Sequence, residues 1–247
     1  MKALAVILGV CLLAGCLGIR TYYRNDYGID FLGAYKGLAV IKTESEMEKD
    51  DGEKATRKLE GMAIKLDKGL ILSLTHVTEL PMVEAVRMPF GTLFFSYKKK
   101  LSERHFINGK EIKLIGRKGD VSIFQGDHKE SFPFPFGNSD LLEVGDRIAV
   151  IGFSFTKLFN FKEGLVSALK VGDAYGKMEN DVMLITVSIN PGDSGSPALA
   201  FRNGRCEIVG IVNAGIRDKG MGFAIKINEV KEALEVIDVV PEKKAAH

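Results

Sequence analysis

Apolar residues in this chain come in short runs separated by glycine-rich and charged turns. Leu70-Ile71-Leu72-Ser73-Leu74 and Val121-Ser122-Ile123-Phe124 are typical. Runs this short and this rich in Val and Ile predict β-strands rather than helices. Met62-Ala63-Ile64-Lys65-Leu66 and Leu70-Ile71-Leu72-Ser73-Leu74 flank Asp67-Lys68-Gly69, which reads as a three-residue hairpin loop. Leu38-Ala39-Val40-Ile41 reads as a first strand, and further strands are predicted over 92–97, 112–116, 121–125, 147–151, 164–170, 182–188, 207–213 and 221–226. Even spacing of short strands argues for closed barrels or a sandwich, hence an all-β protein. Residues 42–60 carry alternating charges and almost no large apolar side chain, and they read as a solvated loop. One helix stands out near the C-terminus. Asn228 would cap it, Glu229 and Glu232 would occupy its first turn, and Val230, Ala233, Leu234 and Ile237 form an apolar stripe.

The N-terminal pattern is different. Lys2 precedes an almost unbroken apolar run over residues 3–17, short for a spanning helix of ~20 residues and suited to a signal h-region. The run ends in Leu13-Ala14-Gly15-Cys16, which resembles the bacterial lipoprotein cleavage box. That resemblance implies lipidation of the Cys16 thiol; the alternative is an uncleaved signal anchor ending before Arg20. The expected organisation is a signal segment over 1–18, a lead-in over 19–36, a folded domain over 37–240 and a polar tail over 241–247. It places the protein in a bacterial cell envelope, extracytoplasmic and membrane-attached by lipid or anchor.

A formal net charge of +2 on 247 residues gives no case for nucleic acid as a partner. Of three cysteines, Cys11 would leave with the signal and Cys16 would carry lipid. Cys206, in the apparent strand Cys206-Glu207-Ile208-Val209-Gly210, therefore has no partner for an internal disulfide and reads as a small half-buried residue. No Cys/His cluster has zinc-ligand spacing, and the chemistry below requires no metal or cofactor.

The most specific string is Asn190-Pro191-Gly192-Asp193-Ser194-Gly195-Ser196-Pro197. A serine hydroxyl is a weak nucleophile that needs an adjacent base and N–H groups aimed at the developing oxyanion. Glycines on both sides of Ser194 permit a tight turn, so the N–H groups of Gly192 and Ser194 are the expected oxyanion hole. The string is not a Gly-x-Ser-x-Gly elbow, because position 196 is serine, and the chain order His, Asp, Ser differs from that of the α/β-hydrolases. Among four histidines, His76 directly follows the apolar strand in Leu74-Thr75-His76-Val77 and is the expected base. His105 and His128 lie in polar, turn-like contexts, and His247 is in the tail. Asp120, after the turn Arg117-Lys118-Gly119 and before Val121, is the expected acid. Asp127 and Asp140 have no strand to hold them.

Taken together these segments resemble the protease domain of the HtrA/Deg family of chymotrypsin-like serine peptidases. The resemblance runs in order through Lys68-Gly69-Leu70-Ile71-Leu72-Ser73-Leu74-Thr75-His76-Val77, Gly119-Asp120-Val121-Ser122-Ile123, and Gly137-Asn138-Ser139-Asp140-Leu141-Leu142-Glu143-Val144-Gly145-Asp146. It continues through Ile151-Gly152-Phe153, Gly164-Leu165-Val166-Ser167-Ala168, Ile189-Asn190-Pro191-Gly192-Asp193-Ser194-Gly195 and Gly222-Phe223-Ala224-Ile225, over residues 36–238. It implies a chymotrypsin-like double β-barrel with the triad His76, Asp120 and Ser194 in the cleft, protein or peptide substrates, and a homo-oligomer, by resemblance a trimer. Three features depart from the family pattern: Glu60-Gly61-Met62-Ala63 before the histidine strand, Ser196 for a second glycine, and Asp193 where HtrA members usually carry asparagine. No PDZ module follows in this chain. By the same resemblance Ser188, Ile189, Val212, Asn213 and Ala214 line the primary pocket. Ser188, not aspartate, stands six residues before Ser194, which predicts cleavage after small or medium apolar residues. The aromatic stretches 132–136 and 153–161 read as core, with oligomer or membrane contact as the alternative. The rival function is a non-catalytic binding module or chaperone on the same fold.

Overall fold

The computed structural model describes residues 31–88, 91–153, 158–171, 181–202, 204–216 and 219–239. The signal run with Cys16, the polar tail and nearly all of 171–181 lie outside the described residues. No helix among the described residues is long and apolar enough to cross a membrane.

Two antiparallel barrels account for most of the domain. The first contains β1 (Leu38–Lys49), β2 (Lys54–Lys65), β3 (Leu70–Leu74), β7 (Val121–Gln125), β6 (Lys110–Lys118) and β5 (Gly91–Ile107), in that order around the sheet. Pairing of β1 with β5 closes it, and β4 (Val83–Met88) adds to β5 outside the ring. The second is a closed barrel in the order β10 (Val182–Ile185), β13 (Met221–Lys226), β12 (Arg205–Ile216), β11 (Pro197–Arg202), β8 (Arg147–Phe153) and β9 (Phe159–Ala168). Closure removes the unpaired edges that open sheets must protect.

The hairpin predicted around Asp67-Lys68-Gly69 is present. Ile64 pairs with Leu72 and Lys65 with Ile71. Lys68 (φ 59°) and Gly69 (φ 73°) turn the chain in the left-handed region, which costs a glycine nothing. Two strands were not anticipated. β11 opens at Pro197, which lacks an N–H for the ladder but is tolerated as the first residue of a strand.

Residues 42–60 are not a solvated loop. They are the outer halves of β1 and β2, a long hairpin whose opposed residues are Lys42 with Glu60, Glu44 with Lys58 and Glu48 with Lys54. Nζ–Oε1 distances of 2.9 Å for Lys42–Glu60 and 2.6 Å for Lys58–Glu44 show the charges pairing across strands on the wet face. The alternate residues Thr43, Ser45 and Met47 are buried on the other face. The period of two was there, but it was carried by small and polar residues against charge, so it read as polar throughout.

His105 also differs from its expected turn-like context. It is buried in β5, with Nδ1 2.9 Å from Thr43 Oγ1 and its ring edge-on to Phe124. Beside it, burial acts to raise the Glu103 carboxyl, but hydrogen bonds from His105, Arg117 and Lys100 outweigh it and hold the group at about 2.

Among the described residues three α-helices complete the domain: α1 (Phe31–Lys36), the single turn α2 (Thr75–Thr78) and α3 (Ile227–Val236). Val230, Ala233 and Leu234 of α3 are buried in one apolar cluster with Leu72, Leu74 and Ile123 of the first barrel and Ile151, Ile208 and Ile225 of the second. Burial of Val230 and of Leu234 contributes about 1.5–3 kcal/mol each, so α3 ties the barrels together. Ile237 closes the helix and packs on Gly116 of β6, where a Cβ would come within 2.8 Å of its Cγ2. Asn228 is not the cap. It lies inside the helix, its N–H donating to Ser139 Oγ and its Nδ2 to Asn138 Oδ1. Phe132 is buried, and Phe134, Phe136, Phe153 and Phe161 pack against the core as expected, but Leu158 and Phe159 of the second stretch are exposed. Residues 154–157 of the second stretch lie outside the described residues.

Candidate active site

Strand β3 delivers His76 to the gap between the barrels. The strand ends at Leu74, and α2 carries the histidine outward with its side chain 42% exposed. Hydroxyls pin this turn to β7. Thr78 Oγ1 donates to Leu74 O (2.8 Å) and lies 3.2 Å from Ser122 Oγ, and Thr75 Oγ1 lies 3.0 Å from the same Ser122 Oγ.

Asp120 stands in the turn between β6 and β7, reached through Gly119 at φ 54°. Its Oδ2 lies 2.7 Å from His76 Nδ1, and its Oδ1 accepts the His76 backbone N–H at 2.8 Å. Its own carbonyl accepts the Thr75 N–H at 2.8 Å. The pair fixes the ring, and Nε2 has no hydrogen-bond partner among the described residues. Asp127 and Asp140 take no part in this geometry; Lys110 pairs with the first at the surface, and the second sits in the 3₁₀ turn after Asn138.

The Ser194 turn is held from beneath by backbone. Ser194 O accepts the Met62 N–H, Gly195 N–H donates to Val212 O, and Ser196 O accepts the Val212 N–H, each at 2.8 Å. Gly195 has φ 91°, and a Cβ there would fall 2.0 Å from Met62 O. Gly61 is equally tight, because a Cβ would come within 2.6 Å of Val77, next to His76. The unusual Glu60-Gly61-Met62-Ala63 string thus supplies contacts to both arms of the site. Gly195→Ala is expected to lower stability by ~2 kcal/mol or more through strain and clash, read as a fall in melting temperature.

The Ser194 hydroxyl donates to Asn213 O at 2.7 Å, not to His76. Asn213 Nδ2 in turn donates to Asp120 Oδ2 at 2.6 Å. One residue therefore touches the serine through its backbone and the carboxylate through its side chain. The sequence assigned Asn213 to the pocket wall, and nothing in its type or spacing indicated this second contact. Asn213→Ala removes a charge-assisted hydrogen bond of about 1.5–3 kcal/mol, so kcat on a peptide substrate is expected to fall about 10- to 100-fold. Among the described residues the N–H groups of Gly192 and Ser194 donate to nothing, while those of Asp193, Gly195 and Ser196 are all used. Ser196 is fully buried, and its Oγ has no hydrogen-bond partner among the described residues.

Of the expected pocket residues, Ser188 is exposed and Ile189, Asn213 and Ala214 are partly exposed. Val212 is 0% exposed and packs within the second barrel, so it backs the site without lining it. Two residues the sequence reading missed flank Ile189. A Cβ on Gly215 would lie 2.4 Å from Ile189 O, and one on Gly222 would lie 2.3 Å from Ile189 Cγ1. The signal was a glycine on each of two paired strands, Gly215 facing Gly222 across β12 and β13. Cys206 lies apart from this site, and burial pushes its thiol up to about 12, so it stays protonated and unreactive.

Comparison with known proteins bears on the family and the fold. Residues 61–211 match the trypsin-like peptidase domain. The periplasmic serine endoprotease DegP of Escherichia coli is 28% identical over 178 residues, which span 69% of this chain and 34% of DegP. Serine protease Do-like HtrB of Bacillus subtilis is 30% identical over 109 residues, 40% of this chain and 23% of the relative. The chain thus spans about a third or less of the length of these relatives. Among solved structures, the HtrA-type protease AlgW with a decapeptide superposes with a TM-score of 0.60 at 21% identity, covering 87% of this chain and 67% of the other. The active form of the Rv3671c protease from M. tuberculosis gives 0.54 at 22% identity, covering 86% of each chain. These two likenesses bear on the fold, the double barrel described above. The chain belongs to the trypsin-like peptidase family and is related within it to the HtrA and DegP serine proteases.

Proposed function

We propose that this protein is a serine endopeptidase that cleaves unfolded or exposed protein segments outside the bacterial cytoplasm, with Ser194, His76 and Asp120 as its triad. The observation that carries the reading is the chain of contacts from His76 to Asp120, from Asp120 to the Asn213 amide, and from the Asn213 carbonyl to the Ser194 hydroxyl. Rotation of Ser194 Oγ away from Asn213 O would bring its proton to His76 Nε2. Oγ then attacks the scissile carbonyl carbon, and the proton passes to the imidazole. Asp120 stabilises the imidazolium, and the free N–H groups of Gly192 and Ser194 receive the oxyanion. His76 returns the proton to the departing amine. A water, deprotonated by the same nitrogen, then hydrolyses the acyl-enzyme.

The tight fit of Ile189 against Gly215 and Gly222 favours a shallow primary pocket. Cleavage after Val, Ala or Leu is expected from profiling on a peptide library, and a dominant preference for Arg or Lys would contradict it. Attachment to the envelope through Cys16 or an uncleaved signal, a homo-oligomer and a role in protein quality control complete this reading. Metabolic labelling with a palmitate analogue, compared with Cys16→Ala, tests the lipid.

A second reading is a binding module or chaperone on the same fold. The Ser194 hydroxyl turned to a backbone carbonyl is the observation that favours it. Reaction of Ser194 with a fluorophosphonate separates the two, because a binding module needs neither a working base nor an oxyanion hole.

A further inference from the structure

The residue before the nucleophile carries a charge that the reaction itself does not use. Asp193 is 0% exposed, and its carboxylate lies against Gly152 of β8 and Lys162 of β9 in the second barrel. Oδ2 accepts the Asn190 N–H at 2.7 Å and is paired with Lys162 Nζ. Oδ1 has no hydrogen-bond partner among the described residues and occupies the space that Gly152 leaves by having no side chain; a Cβ there would lie 2.2 Å away. Lys162 lies within β9, opposite Val150 of β8, and its side chain is only 17% exposed. The ion pair is therefore a built feature of the barrel wall rather than a surface contact.

The backbone of Asp193 closes the turn that bears the free N–H groups. Its N–H donates to Asn190 O at 3.0 Å, and its carbonyl accepts the Ser196 N–H at 2.9 Å. Gly192, with φ 98°, and Ser194 lie immediately on either side. A buried carboxylate without a counter-charge either takes up a proton or leaves its pocket. If this side chain left, the peptide planes on both sides of residue 193 would go with it.

We propose that Lys162 is a positioning residue for catalysis: by neutralising the buried Asp193 carboxylate it locks the 190–196 turn so that the Gly192 and Ser194 N–H groups are held for the oxyanion. The cation comes from β9 of the same barrel, so the lock forms as the barrel folds. This inference rests on the reading of Ser194 as nucleophile.

The test uses the full chain and compares Lys162→Met with the double variant Lys162→Met/Asp193→Asn. Loss of an oxyanion donor costs about 10²- to 10³-fold in kcat, so Lys162→Met should be labelled by a fluorophosphonate about 100-fold or more slowly. Its kcat should fall in parallel, with KM changed less than about threefold. The low-field proton resonance of the His76–Asp120 hydrogen bond should persist, since the first barrel is untouched; general unfolding would abolish it. The double variant buries no unpaired charge, and its labelling should recover to within about tenfold of the native rate. Labelling of Lys162→Met within about threefold of native would overturn the inference, as would a folded double variant that stays as slow as the single one. Should Lys162→Met fail to fold, a folded and labelled double variant supports the proposal and a folded, unlabelled one overturns it. If the native protein is not labelled at Ser194 at all, the nucleophile reading itself has failed, and the inference falls with it.

Discussion

Ser194→Ala is expected to lower kcat on a protein or peptide substrate by on the order of 10⁶-fold with KM nearly unchanged. The size follows from the role. Without Oγ there is no acyl-enzyme, and the oxyanion donors can assist only direct attack by water, a residual effect seen when a triad is dismantled. The fold should not suffer. Among the described residues the hydroxyl makes one hydrogen bond, to Asn213 O, and its loss is worth about 1 kcal/mol or less in stability. A variant keeping more than about a tenth of native activity would show that another group does the chemistry.

Asp120→Asn should cost on the order of 10⁴-fold in kcat, the size found for the same change in the serine-protease triad that serves as the general template. The donors around the carboxylate explain why an amide cannot replace it. Oδ2 receives both His76 Nδ1 and Asn213 Nδ2, and Oδ1 receives the His76 backbone N–H. An asparagine has one acceptor oxygen, so whichever way it turns, its NH₂ faces a donor. With its NH₂ toward His76 Nδ1, the asparagine would favour the imidazole tautomer with its proton on Nε2, which cannot accept from serine. The kcat–pH profile of the variant should show activity returning at high pH, as hydroxide replaces the missing base. A variant within about tenfold of native at neutral pH would remove Asp120 from the triad.

How much of this was legible in the sequence varies from residue to residue. His76, Asp120 and Ser194 stood out because each sits at a strand end or in a glycine-flanked turn, where local pattern and chemical need coincide. The hairpin around Lys68 and Gly69 and the apolar stripe of α3 were readable for the same reason, since both are set by near neighbours. The outer halves of β1 and β2 were not, because their pairing is decided by cross-strand charge complementarity and by burial of Thr43 and Ser45, neither of which shows in a one-dimensional pattern. Asn213 and Lys162 were illegible for a deeper reason. Their contacts join residues distant in the chain, Asn213 to Asp120 and Lys162 to Asp193, across barrel walls that only the closed fold creates. Asn228 has the residue type of a cap, yet the helix begins at Ile227 and Asn228 bonds to the 138–139 loop.

The most direct test of the central claim is to treat the folded protein with a fluorophosphonate and locate the adduct by peptide mapping, beside casein hydrolysis by the same preparation. A single adduct on Ser194, with labelling and hydrolysis both lost in His76→Ala, is the result expected of a serine endopeptidase using this triad. Casein hydrolysis that persists without labelling, or an adduct on any other serine, would contradict it.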